Sequence, residues 1–232
     1  MDYFAEGLSE AFRLIGSMDR EMWHAVTVSL RVSSAAILIA GVFGIPLGLF
    51  LGIREFFGKS LVVTILNTLM ALPTVVVGLV VYAILSRRGA LGVLGLLYTP
   101  KAMVIGQLIL AFPIIAALSL SATQSVDPRA RRTAMALGAS PAQVSWTILR
   151  EARFGILASV MAGFGRVIAE VGCAMMLGGN IRGTTRTMTT AIALETGKGK
   201  FGLGIALGII LLLIAFSVNL ATQVLRTNGR SS

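Results

Sequence analysis

The sequence has 232 residues, 56% of them hydrophobic and only 13% charged, with a formal net charge of +10; a soluble domain carries about 25% charged residues. One cysteine, Cys173, and one histidine, His24, exclude an internal disulfide framework and a conventional metal site within the chain. The basic residues flank long apolar runs, so they meet lipid headgroups rather than nucleic acid.

Residues 3–16 set Phe4, Leu8, Ala11, Phe12 and Ile15 at helical spacing opposite Glu6, Glu10 and Arg13, which predicts an amphipathic helix on a membrane surface. Residues 1–6 have no basic n-region, so no cleaved signal peptide is expected. Residues 32–53, 60–86, 102–126 and 201–225 contain no Asp, Glu, Lys or Arg. Each is long enough to cross a bilayer as a helix, which takes about 20 residues. A fifth run, 154–176, is interrupted only by Arg166 and Glu170. In lipid every backbone N–H and C=O must be paired internally, so these runs are helices. The expected fold is all-α and integral to the membrane. It has five spans at about 22–53, 60–86, 102–123, 154–176 and 201–226 within one domain, 1–232. Residues 177–200, rich in Gly and Thr, read as a connection between the last two spans. Five spans leave nine Lys and Arg residues on each side, so the positive-inside rule does not orient the chain.

Polar and small residues within the spans invite closer reading. Arg166 and Glu170, four apart, share a helix face. A lone charge at mid-bilayer costs about 2.5–3.5 kcal/mol, and pairing reduces that. The pair is either part of a gate or a neutralised structural contact. Pro73 and Pro113 each free a carbonyl within a span, as helices lining a cavity do and as plain kinks do. Arg31 and His24 lie near the end of the first span, where interfacial placement suffices for both. Gly44, Gly48 and Gly52, and again Gly204 and Gly208, form small-residue packing stripes. Any anion crossing the chain needs hydroxyl, amide and backbone donors, because fixed lysines that bind tightly do not release. Asn180, Thr184, Thr185 and Thr187 are candidates near one mouth.

Residues 127–150 carry the clearest punctuation. Asp127 caps a helix that opens on Pro128 and runs to Leu137, where Gly138 ends it. Ser140 caps a second helix opening on Pro141, with Gln143 at the capping-box position. The result is a polar helix–glycine–helix, faced by Ala134, Ala136 and Ala139, that leaves the membrane and suits docking. A bare surface hairpin and a DNA-binding helix-turn-helix have similar punctuation, but the flanking spans argue against DNA.

Two nucleotide-like patterns fail on context. Gly197-Lys198-Gly199-Lys200-Phe201-Gly202 matches G-x-G-x-x-G but follows no strand, and Gly52…Gly58-Lys59-Ser60 is one residue too long for a P-loop. The chain is not expected to be an enzyme or to bind a cofactor.

Thr133-Ala134-Met135-Ala136-Leu137-Gly138-Ala139-Ser140-Pro141, with Ile148 ten residues after the glycine, resembles the EAA loop of binding-protein-dependent ABC importer permeases. Arg132 stands where that family usually has glutamate, and Arg150-Glu151 replace its closing Leu-Pro. Leu72-Pro73-Thr74-Val75-Val76-Val77-Gly78 resembles the proline-broken second span of molybdate, sulfate and tungstate permeases. So do residues 165–172, Gly179-Asn180-Ile181 and Thr185-Arg186-Thr187, with residues 178–199 most like the tungstate branch.

The resemblance implies a type I importer permease that moves a tetrahedral oxyanion, tungstate before molybdate. Its partners would be a second copy of itself, a cytoplasmic ABC ATPase dimer holding the ATP and Mg, and an extracytoplasmic oxyanion-binding protein. It implies ATPase coupling through Arg132, Thr133, Ala134, Leu137, Gly138, Ala139, Ser140 and Pro141. It also implies a path or gate around Pro73, Thr74, Arg166, Glu170, Asn180, Thr185 and Thr187. Residues 127–153 and the C-terminus would be cytoplasmic and the N-terminus external, in the cell (inner) membrane of a prokaryote. The rival reading is a secondary transporter or channel that works without an ATPase.

Overall fold

The computed structural model describes residues 2–228, and the regular structure among them is helical. The helices are α1 (Asp2–Gly16), α2 (Arg20–Ile53), α3 (Lys59–Met70), α4 (Thr74–Leu85), α5 (Pro100–Gln124), α6 (Pro128–Ala136), α7 (Pro141–Glu151), α8 (Arg153–Ile168), α9 (Gly172–Gly178), α10 (Met188–Gly197) and α11 (Phe201–Asn228). Three of them, α2, α5 and α11, are long and apolar enough to span a bilayer unbroken. The pairs α3–α4 and α8–α9 are bent by 97° and 63°.

The core is the side-by-side pairing of α2 and α5. Gly44 meets Ile115, Gly48 meets Ala116 and Ser119, and Gly52 meets Thr123, so the two helices run parallel. A Cβ on Gly48 would lie 2.6 Å from the Ala116 carbonyl oxygen, which explains the glycine stripe: backbones this close leave no room for a side chain. The second stripe behaves differently. Gly204 faces Thr196, while Gly208 meets nothing within 4 Å among the described residues.

Because α2 and α5 run the same way, the segment between them must return the chain from one end of the bundle to the other. Leu66 of α3 packs with Leu51 and Leu120 at the far end of the pair, and α4 continues along the stack beside α9. The right-angled α3–α4 pair is therefore a traverse, broken where Pro73 lacks an N–H and pushes Leu72 out of the helical region. Pro113, by contrast, lies buried inside an uninterrupted α5.

The α8–α9 pair makes the next traverse, antiparallel to α5. Gly155 lies on Ala122, Ser159 bonds Ser119 at 3.0 Å, Gly163 packs on Ile115, and Gly178 reaches Met103. The span expected over 154–176 is thus a bent pair, broken at residues 169–171. The Gly/Thr-rich connection likewise contains a helix, α10, with Thr187 and Thr190 forming a capping box. Beyond it, α11 starts beside α1: Gly7 of α1 lies against Phe201 and Ile205, and Ala11 joins Ala206 and Leu207 in one buried cluster. Thus α1 straps the head of α11, with Phe12 left exposed.

Two ends follow from this topology. The 54–58 turn and the α6–α7 hairpin share the hairpin end. The opposite end holds α1, the 86–99 loop, the 179–187 loop and α10.

Candidate functional site

The hairpin takes the shape its caps dictate. Asp127 accepts from Arg129 N at 2.8 Å, and Ser140 and Gln143 form a reciprocal capping box. Gly138 sits at φ +76°, the left-handed conformation that ends α6. Val144 and Ile148 bury one face of α7, with Ile148 beside Gly52 and Ile53 of α2 and Thr123 of α5, but α6 buries no residue. At the tip Leu137 is 83% exposed, and Met135 and Trp146 are exposed with it. Arg132, Thr133, Gly138, Ser140 and Pro141 are exposed too, with Ala134 and Ala139 half-buried beside them. A rigid, doubly capped hairpin with an apolar tip in the open is built to be gripped.

A second constellation lies where the two broken traverses meet, about 10 Å along α5 from its Pro100 end at 1.5 Å per residue. The α8–α9 break frees backbone groups, and side chains satisfy them. Gln107 donates to the Val167 carbonyl at 3.2 Å, and Thr189 donates to the Glu170 carbonyl at 2.6 Å. The Glu170 carboxylate accepts from Cys173 N at 3.0 Å and from Arg166 at 3.2 Å. Glu170 is 4% exposed, while Arg166 is half-exposed. The carboxylate is thus turned inward as a helix cap, and the pair presents its positive member outward. The α4 N-terminus abuts this break: a Cβ on Gly172 would touch Val75 and approach the Thr74 hydroxyl. Pro73, Val75 and Val76 stay exposed on that face, and Thr74 is half-buried.

The remaining path candidates occupy the opposite end and are already bonded. Thr185, fully buried, donates to the Gly178 carbonyl at 2.5 Å and accepts from Ile181 N at 3.0 Å. Thr187 caps α10, and Asn180, at φ +51°, donates to the Thr190 carbonyl at 3.2 Å. Their donors fix the loop's own shape, while Thr184 remains exposed. Beside them, Glu21 of α2 pairs with Arg182 and, at 2.5 Å, with Arg186, and Glu195 pairs with Lys198 at 3.0 Å. These ion pairs pin the 179–187 loop to the start of α2. In the 86–99 loop Tyr98 bonds Tyr82 at 3.4 Å, and that hydrogen bond raises its pKa above the ordinary value.

Residues 44–228 match the protein family described as the binding-protein-dependent transport system inner membrane component. The chain belongs to that family. It is a multi-pass inner-membrane protein of the ABC importer permease type. Among its relatives, the tungstate uptake system permease protein TupB of Peptoclostridium acidaminophilum is 43% identical over 94% of this chain and 96% of its own. TupB of Campylobacter jejuni is 42% identical over 97% and 95%. The molybdenum transport system permease protein ModB of Escherichia coli is more distant, at 31% over 83% and 91%. The fold resembles that of the MetNI methionine ABC transporter in its inward-facing conformation, with a TM-score of 0.72 over 90% of this chain and 96% of that one at 17% identity.

Gln107, Thr189 and the Glu21 clamp are absent from the site read from the sequence. Gln107 carries a local signal, an amide inside an otherwise apolar span. The others become visible only when distant segments are brought together.

Proposed function

We propose that this chain is the translocation subunit of an ATP-driven, binding-protein-dependent importer for a tetrahedral oxyanion, with tungstate the first substrate and molybdate the second. The observation that carries the substrate is the similarity to two tungstate permeases at 42–43% identity along nearly the whole chain. The α6–α7 hairpin supports the coupling: its tip, Arg132 to Pro141, inserts into a cleft on a cytoplasmic ATPase that holds the ATP and Mg. That orientation makes the hairpin end and the C-terminus cytoplasmic and the N-terminus external. An extracytoplasmic oxyanion-binding protein then delivers to the opposite end, where Asn180, Thr185 and Thr187 shape the mouth.

Two copies pair so that the exposed face of Pro73, Thr74 and Arg166 lines a shared path. The first turn of α4 offers backbone N–H groups unused by its own helix, which suit an anion passing from one hydration shell to the next. Arg166 supplies the matching charge, and Glu170 holds the α9 hinge about which the path opens. Closure of the ATPases draws the two hairpins together and rocks the bundles. A secondary transporter would leave the capped hairpin without a partner.

The test is uptake into proteoliposomes containing the chain, the ATPase and the binding protein. Tungstate accumulation that requires ATP supports the proposal. Uptake that runs equally without ATPase or nucleotide overturns it.

A further inference from the structure

The α2–α5 pair carries a feature that oxyanion transport does not use. At the opposite end an open groove of about 490 Å³ lies between the two helices, with Val32, Ala35, Leu96, Val104 and Ile105 as its walls and Arg31 and Lys101 at its rim. Val32 is buried, and the other wall residues are half-buried. Arg31 and Lys101 are both exposed, and neither side chain makes an ion pair or hydrogen bond among the described residues.

The depth of this groove is set by helix length. From Pro100 to Gln124, α5 is about 37 Å long at 1.5 Å per residue, enough to cover a hydrocarbon core of about 30 Å. Its Pro100 end therefore stands at the lipid–water boundary. Tyr98, exposed just before it, occupies the level where aromatic side chains meet headgroups. The charge-free part of α2 begins at Val32, on the same level. The two cations thus sit at headgroup height above walls that descend into the acyl region.

We infer that this groove binds an anionic phospholipid, its phosphate held between Arg31 and Lys101 and one acyl chain laid along Val32, Ala35, Val104 and Ile105. Charge selects the occupant. Two unpaired cations above a dry wall match an amphiphile with a negative head, whereas a zwitterionic headgroup brings its own ammonium to the same place. The N-terminus of α5, capped by Thr99, adds a favourable dipole for the phosphate. A free oxyanion would gain the cations but nothing from the walls. The seated lipid bridges α2 and α5 at the end where no glycine stripe locks them.

The experiment is native mass spectrometry and thermal unfolding of the full chain in detergent, titrated with phosphatidylglycerol or phosphatidylcholine. Wild type is expected to retain phosphatidylglycerol and unfold at higher temperature with it, and to ignore phosphatidylcholine. R31Q/K101Q is expected to bind about 25-fold more weakly, from two basic residues each contributing about fivefold. V104W, which fills the groove and keeps both charges, should lose retention as well. Equal retention of both lipids, retention by V104W equal to wild type, or displacement of the lipid by millimolar inorganic phosphate would each overturn the assignment.

Discussion

Replacing Glu170 by alanine or by glutamine separates its cap from its charge. In Glu170→Ala the buried Cys173 N–H loses its acceptor at 3.0 Å, and Arg166 loses its counter-charge at 3.2 Å. An orphaned buried N–H costs about 1–3 kcal/mol. The Arg166 contact is half-exposed and is therefore worth at most about 1 kcal/mol. Alanine should thus destabilise the fold by about 1–4 kcal/mol. Glutamine keeps an oxygen on the Cys173 N–H and should cost only about 1 kcal/mol. Unfolding temperature in detergent reports the difference, at about 2–4 °C per kcal/mol for a chain of this size. Uptake in proteoliposomes, read beside it, should be impaired in both variants, because both leave Arg166 without its counter-charge. Equal unfolding temperatures for the two variants would refute the cap, and full uptake by Glu170→Gln would refute the gate.

Three further outcomes follow from the packing. Gly48→Val should separate α2 from α5 and reduce folded yield more than Gly208→Val, which meets open space, and detergent gel filtration distinguishes them. Ser140→Ala should loosen the start of α7 by about 1 kcal/mol, seen as faster hydrogen exchange over residues 140–144 with the spans unchanged. Glu21→Gln should free the 179–187 loop from α2, and proteolysis there should rise to a level that added salt no longer changes, whereas wild type should loosen with salt.

How much of this was legible depends on how local each signal is. The apolar runs are, because a charge-free stretch in lipid has no option but helix, and the hairpin is, because Asp127, Gly138, Ser140 and Gln143 act within four residues of themselves. Pro73 and Pro113 carried the same local signal, but only Pro73 breaks its helix. The α8–α9 break had no such signal, because the residues that satisfy it, Gln107 and Thr189, lie 60 residues away from Val167 and 19 from Glu170. The helix α10 was hidden by a composition of Gly and Thr that reads as loop, although Thr187 and Thr190 hold the capping spacing. Thr185 and Thr187 turned inward because buried backbone groups of the loop and of the α10 start must be satisfied first, while Thr184 stays exposed. The Glu21–Arg186 pair, 165 residues apart, has no sequence signature at all.

The central claim is that the hairpin is the handle by which an ATPase drives this permease. Leu137 tests it most directly, since it is exposed at the tip of the hairpin. The measurement is co-purification of the partner ATPase with wild type and with Leu137→Asp, at matched unfolding temperature. The account predicts stoichiometric ATPase with wild type and its loss from the variant. ATPase retained undiminished by Leu137→Asp, or absent from both, would contradict it.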